Sequence, residues 1–225
     1  MPDISIIIPT LNEEQVLPLT LSHLQNLRGQ RVEIIVVDGG STDNTTLCTE
    51  GLVDQLVFSK AGRAAQLNKG AQVAQGALLL FLHADTLVPK QLVQLLNQPL
   101  IKKRSDVWGR FNVKLDGEHF LFRIIETMMN GRSCFTGIVT GDHAMFVSRK
   151  LFKQVDGYPA IELMEDIAIS KKLKRINRPI CIKQAVVTSS RRWERAGIIN
   201  TIFKMWLFRL AYFFKVPPAI LAKKY

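Results

Sequence analysis

The stretch GALLLFLHADT, residues 76–86, decides how this chain is read. Its apolar run has the length of a buried strand and stops at a histidine and an aspartate, polar side chains set where a strand would leave the core. Three more short β-branched runs, residues 4–8, 33–37 and 55–59, precede the one at 77–82. Helical patterns are expected after Asn12, after Ser41, from Arg63 and from Pro89. This βαβα order predicts an α/β fold: a Rossmann-like, mostly parallel central sheet with helices on both faces, whose ligands bind outside the carboxyl ends of the strands.

Those ends carry PTLNEE (9–14), DGGSTDNT (38–45), SKAGR (59–63) and HADT (83–86), all delivered to one edge of one sheet. Beyond residue 105 the pattern is less regular. It offers a strand-like VWGRFNVKL (107–115), a helix over 120–129, a loop CFTGIVTGD (134–142), and a strand AMFVS (144–148) with a helix to Val155. Neither an internal repeat nor a low-complexity linker interrupts the chain. Residues 1–195 read as one domain and residues 196–225 as a basic, amphipathic helix and tail.

At 225 residues and 47% hydrophobic content, the chain can bury one sizeable core and is too rich in aliphatics to be disordered. Its net charge of +11 is unevenly spread. Residues 1–100 hold 6 Lys and Arg against 9 Asp and Glu, a balance of −3, which leaves +14 on residues 101–225. That excess calls for an anionic partner: nucleic acid, an anionic membrane surface or a phosphorylated substrate. A nucleic-acid binder would want a basic stripe with exposed aromatics on a recognition element, so no nucleic-acid partner is expected. Cys48, Cys134 and Cys181 are far apart, odd in number and without a CxxC pair. Neither a disulfide framework nor a zinc site is therefore expected, and a reducing cytosol fits. The N-terminal MPDISIIIPT reads as a strand rather than a secretory leader.

Asp38, with Gly39, Gly40, Ser41 and Thr42 behind it, has two readings. The glycines admit a ligand close to the backbone while Ser41 or Asp43 caps a following helix, or the run is an Asx-type turn and a cap. The first strand is followed by PTLNEE, in which Pro9 is expected to fix the turn; with no GxGxxG there, a nicotinamide dinucleotide site is excluded, and no GxxxxGK[ST] loop occurs. Asn12 can cap a helix whose dipole Glu13 and Glu14 complement. In HAD, His83 and Asp85 lie two residues apart, so an extended segment would turn both to one side, toward one divalent cation and through it a diphosphate. The other reading has His83 hydrogen-bonding a loop. In ELMEDIAISKKLKR (162–175), Glu165 and Asp166 open a helix with apolar positions Ile167, Ile169, Leu173 and Ile176. The two acids either complement the helix dipole or supply a carboxylate general base.

Six motifs stand in order: IIIPTLNEE, VDGGSTDNT, GRAAQLNKGAQVAQGALLLFLHADT, GDHAMFVSRKLFKQVDGYP, MEDIAISKKLKR and SRRW. Together they resemble the family 2 glycosyltransferases of the GT-A fold over residues 4–195, and most closely a small bacterial subgroup similar to carotenoid-acid glycosyltransferases. The resemblance implies an inverting transferase with a nucleotide-diphosphate sugar donor, UDP- or GDP-linked. It implies that Pro9, Thr10, Asn12 and Glu13 line the nucleoside pocket, that Asp38 binds the base, and that Arg63 with Asn68 contacts base or diphosphate. Asp85 matches the last acid of the family's DxD and would hold Mn2+ or Mg2+. Asp166 matches the general base, with Glu165 beside it, and Arg192 with Trp193 matches the RW that closes over the diphosphate. Gly141 and Asp142 are expected either as sugar contacts or as a simple turn. His83 departs from DxD by removing a negative charge, which would either weaken metal affinity or shift metal preference toward Mn2+. SRRW lacks the glutamine of the QxxRW form, which points to a single transfer rather than polymer synthesis.

Residues 198–216, IINTIFKMWLFRLAYFFKV, raise the question of a membrane span. Their ten Ile, Leu, Phe and Val residues contribute roughly −3 to −6 kcal/mol, Arg209 near the centre costs about 3 kcal/mol, and Lys204, Asn200 and Thr201 bring the balance closer to zero. A narrow polar stripe of Gly197, Asn200, Lys204, Ala211 and Lys215 leaves a broad apolar face with Phe203, Trp206, Phe213 and Phe214. That pattern suits a helix lying on an anionic leaflet, with Lys223 and Lys224 extending the charge. Core packing or a homo-oligomer interface through this helix is the other reading. The expectation is a cytoplasmic enzyme, peripheral on the inner face of the cell membrane, with a lipid or membrane-associated acceptor. Its rival is a catalytically silent nucleotide-sugar-binding module, against which Asp85, Asp166 and Arg192 argue, since binding a nucleotide needs no base.

Overall fold

The computed structural model describes residues 2–102 and 104–223. In chain order it forms β1 (Ile4–Thr10), α1 (Leu17–Leu24), β2 (Val32–Asp38), β3 (Gln55–Phe58), α2 (Arg63–Val73), β4 (Leu78–Phe81) and β5 (Thr86–Leu87). There follow α3 (Leu92–Leu96), α4 (Pro99–Lys102), β6 (Trp108–Leu115), α5 (Phe120–Thr136), β7 (Phe146–Ser148), α6 (Arg149–Gln154) and α7 (Glu165–Leu173). The chain continues through β8 (Ile180–Thr188), α8 (Arg191–Ala196), α9 (Ile198–Phe213) and α10 (Pro218–Ala222). All eight strands join one sheet in the order β3-β2-β1-β4-β7-β6-β8-β5. β1 to β4 are mutually parallel, β6 and β8 are parallel, and β7 and β5 run antiparallel to their neighbours.

Alternation along the strands sorts their side chains onto two faces. Ile4, Ile6, Ile8, Ile34, Val36, Leu78 and Leu80 pack with Leu17, Leu21 and Leu24 of α1. Ile7, Ile35, Val37, Leu79 and Phe81 pack on the other face with Leu67 and Ala71 of α2 and Ile169 and Leu173 of α7. Helices therefore cover both faces, as the βαβα order requires. A third cluster joins Val113 and Leu115 of β6 to Phe122, Ile125 and Met129 of α5, and Trp193, Ile198 and Ile202 pack against it.

The stretch at residues 76–86 starts where backbones touch. A side chain at Gly76 would collide with Ser5 and the backbone of Ile4, and the Gly76 N–H donates to Ser5 Oγ (2.8 Å) and to the buried Glu33 carboxylate (3.0 Å).

Several expectations are corrected. Pro9 does not set a turn but stays in β1, in register with Val37. Ile7 O accepts from Leu82 N, so Pro9, two residues on, turns its missing N–H to that same side, past the last paired residue of β4. No α-helix follows Ser41; a single 3-10 turn forms at Leu47–Thr49, and Asp43 spends its carboxylate on the Thr45 amide (3.0 Å). Asn12 caps no helix: α1 begins only at Leu17, and Val16 provides no side-chain cap. The loop expected at 134–142 starts later, because α5 runs on to Thr136 and ends at Gly137, whose φ of 68° makes a left-handed cap. Ile176 lies beyond α7 and is exposed. Cys134 and Cys181 form a disulfide with Cα atoms 5.9 Å apart, and only Cys48 is free. The fold brings the last turn of α5 over β8 across 47 residues of sequence, a pairing that spacing alone does not reveal, and the cysteines no longer argue for a reducing compartment.

Candidate active site

β4 ends at Phe81, and His83, Ala84 and Asp85 cross the sheet edge before β5 pairs with the end of β8, Thr86 opposite Thr188. This pairing carries SRRW to the edge. Thr188 Oγ1 donates to Asp85 Oδ1 (3.5 Å), and Arg191 lies 3.6 Å from Asp85 Oδ2 and 2.7 Å from Glu13 Oε2. One guanidinium thus bridges the loop after β1 to the loop after β4. Burial pushes the Asp85 carboxyl above the usual range, Arg191 opposes the shift, and Glu13 reinforces it.

The opposite wall is the start of α7, entered through Met164 in the left-handed region (φ 68°). Asp166 accepts from Gly141 N (3.1 Å) and from Ile167 N (2.7 Å). Glu165 is buried, with Arg63 Nε 3.6 Å from its carboxylate. Burial first and Asp166 second push Glu165 upward, and Arg63 opposes them. The Gly141–His143 turn closes the gap between the walls. Asp142 Oδ1 is 3.5 Å from His83 Nδ1, and a methyl at Gly141 would strike the His83 ring. Burial, followed by the charges of Arg63, Arg192 and His143, drives His83 well below its usual value, so the ring is neutral and its buried Nε2 has no hydrogen-bond partner. Burial likewise raises Asp142, against the pull of Arg63.

A cavity of about 400 Å³ opens along this edge. It is lined by Pro9, Thr10, Glu13, Arg63, His83, Asp85, Gly141, Asp142, Glu165, Asp166, Arg192 and Trp193, together with Thr188, Arg191, Met205 and Arg209. Three residues singled out in the sequence are not among its lining. Asp38 is 1% exposed, and its carboxylate accepts from Gly40 N (2.9 Å), Ser41 N (2.8 Å) and the hydroxyls of Ser41 and Thr10, the Asx-type turn. Asn68 clamps the Tyr158 backbone, donating to its carbonyl (2.8 Å) and accepting from its amide (2.9 Å). Asn12, at φ 55°, accepts from Thr42 N (2.8 Å) and stitches the loop after β1 to the loop after β2, beside a neighbouring hollow that Glu13 and Arg192 also line.

Sequence reasoning missed Arg191, although SRRW offered two arginines. It also missed Arg209 as a cavity residue, because that charge sat inside an apolar run.

Among the described residues, no group of three or more His, Cys, Asp or Glu side chains is placed to hold a metal ion. His83 and Asp85 have different partners, the first turned to Asp142 and Gly141, the second to Thr188 and Arg191. This donor set does not fit an all-protein cage. It fits a cation that takes one carboxylate from the protein and its other ligands from phosphate and water, since the partners of Asp85 stand back at 3.5 and 3.6 Å.

The parallel strands and the charged groups gathered beyond their carboxyl ends define a GT-A-type α/β protein. The S. aureus TarS 1-349 structure superposes with a TM-score of 0.66 at 20% identity, over 84% of this chain and 61% of that one. The mannosyltransferase PcManGT from Pyrobaculum calidifontis, solved with GDP-Man and Mn2+, gives 0.62 at 21% identity over 83% and 56%. At such identities the likeness is one of fold. The family described as Glycosyl transferase family 2 matches residues 5–156, about two thirds of the chain, and the chain belongs to it. Glycosyltransferase GlyG of Streptococcus pneumoniae is 32% identical over 111 residues, which are 46% of this chain and 37% of that protein. The chain thus spans well under half of GlyG.

Proposed function

We propose that the protein is an inverting glycosyltransferase moving one sugar from a UDP- or GDP-linked donor to the hydroxyl of a lipid-like acceptor at a membrane surface. Family membership supports the reaction class. The observation that carries the reading is a single cavity lined by Glu13, Arg63, Asp85, Gly141, Asp166 and Arg192, residues drawn from five of the six motifs. PcManGT, a fold relative, was solved with GDP-Man and Mn2+, and TarS was also solved with UDP-GlcNAc.

In this reading the acceptor oxygen attacks the anomeric carbon, its proton passes to Asp166, and the bond to the diphosphate breaks with its electron pair leaving on the nucleoside diphosphate. Attack from the face opposite the leaving group inverts the centre. Arg63, Arg191 and Arg192 hold positive charge where the diphosphate departs, an interaction that strengthens in the transition state. A divalent cation, Mn2+ or Mg2+, would be held by Asp85 and would supply Lewis-acid stabilisation of the leaving group. Asp166 suits the base role better than Glu165, which is buried against Arg63.

Association with the membrane is supported by the exposed Phe203, Trp206 and Phe213 on α9 and Phe214 just after it. Among the described residues no helix is long and apolar enough to cross a membrane. Lys224, counted earlier toward the basic tail, lies outside the described residues. The test is calorimetry with UDP and GDP, with and without Mn2+. Affinity should fall at least tenfold on chelation; an unchanged affinity removes Asp85 from the proposed cation site.

A further inference from the structure

A second cavity, about 1050 Å³, runs between α5 and α9. Its lining is apolar except for Arg132 and Arg209. Met129, Trp193, Met205 and Arg209 line both this groove and the active cavity, so the two hollows are continuous. Nη2 of Arg132 is buried without a hydrogen-bond partner. Arg132 also lies close enough to Arg209 and Asp166 for their charges to act on it. The groove is thus greasy along its length and cationic near its junction with the cavity, within reach of the proposed base.

We infer that this groove is the acceptor subsite and that its occupant is an anionic lipid, with its chain between α5 and α9 and its phosphate on Arg132 and Arg209. A hydroxyl beside that phosphate then faces Asp166 and the donor. The inference rests on the transferase reading for the chemistry but not for the binding. Charge complementarity decides the occupant. Guanidinium groups pair geometrically with phosphate oxygens, and a buried unpaired donor is costly until such a partner arrives. The apolar face of a second copy of α9 would fill the groove and leave Arg132 unanswered.

The test uses the full chain without donor and follows tryptophan emission, to which Trp193 and Trp206 in the groove contribute. Three probes are titrated below their micellar concentrations: 1-acyl lysophosphatidylglycerol, the monoacylglycerol of the same chain, and glycerol 3-phosphate. The anionic lysolipid should bind at least tenfold more tightly than the neutral lipid, and glycerol 3-phosphate should give no change. Arg132→Gln should bring the two lipids within about twofold of each other, and Leu210→Glu should abolish binding of both. Both variants alter groove residues that do not line the donor cavity, so nucleotide affinity should be unchanged in each.

Equal binding of the two lipids by the wild-type chain overturns the inference, as does an undiminished preference in Arg132→Gln, which would mean general surface charge. A dimer in light scattering that lipid does not dissociate and Leu210→Glu abolishes would make the groove an interface and also overturn it. Lipid selectivity without nucleotide binding leaves the groove assignment standing and removes the transferase reading.

Discussion

Two sides of the cavity, the sheet loops and the α5–α9 pair, are built on different principles. The side from β1, β2 and β4 is fixed by the sheet: the segments after β1 and β2 are cross-stitched by Asn12 to Thr42, Thr10 to Asp38, Glu14 N to Asp43 and Glu14 to Asn44. The side from α5 and α9 rests on a small third cluster and leaves Phe120, Met128, Phe203, Trp206 and Phe213 open to solvent. The difference teaches a division of labour for the proposed transfer, in which the stiff side would hold charge where the bond breaks and the greasy side would meet the acceptor.

Four changes probe that division. Asp166→Asn removes the proposed base at the junction of the walls, and turnover should fall by about 10² to 10⁴ while nucleotide affinity is kept, as read from paired kinetics and calorimetry. An unaltered turnover would hand the role to another group. Next, Cys134→Ser cuts the tie between α5 and β8. Denaturant unfolding should show about 2 to 4 kcal/mol lost, because the bond closes a loop of 47 residues.

His143 gives a third test. Burial first, then Arg110 and Arg132, lowers its pKa to about 3, so it is neutral in the fold. The stability linked to that neutral form is complete above the ordinary value of 6.5 and is lost as pH falls toward 3, with a limiting slope of about 1.4 kcal/mol per pH unit. His83 acts in the same sense. Asp85, Asp142 and Glu165, shifted upward, oppose both, because the fold gains from their protonation as pH falls. Between pH 6.5 and 5, stability of His143→Gln should decline less steeply than that of the wild type; parallel curves of melting temperature against pH would contradict this.

The smallest effect on stability belongs to Phe203→Ser. It should change unfolding free energy by under about 0.5 kcal/mol, since the side chain is already exposed, yet should weaken sedimentation with anionic vesicles.

How much of this was legible in the sequence follows the same division. β1, β2 and β4 could be read because their aliphatic runs are bounded by polar loops, and the site segments could be placed because parallel strands end at one edge. The helix expected after Ser41 failed because Asp38 and Asp43 bind the backbone of their own loop, a competition that propensity does not register. Of the two arginines in SRRW, the resemblance singled out Arg192, whereas Arg191 makes the ion pairs to Glu13 and Asp85; the antiparallel pairing of Thr86 with Thr188 brings that segment to the edge, and no local signal encodes it. Arg132 lay between a stretch read as helix and one read as loop, assigned to neither, and its approach to Arg209 depends on two helices that meet only in three dimensions.

The Cys134–Cys181 link fixes one side of the groove to the sheet, because it anchors the final turn of α5 to β8. The other side begins at Gly197, a lone residue at φ 80° between α8 and α9. One jaw is riveted by a covalent bond and the other is held by noncovalent packing, through Ile198, Ile202 and Phe208, so α9 is the jaw that a change of solvent or ligand would shift first.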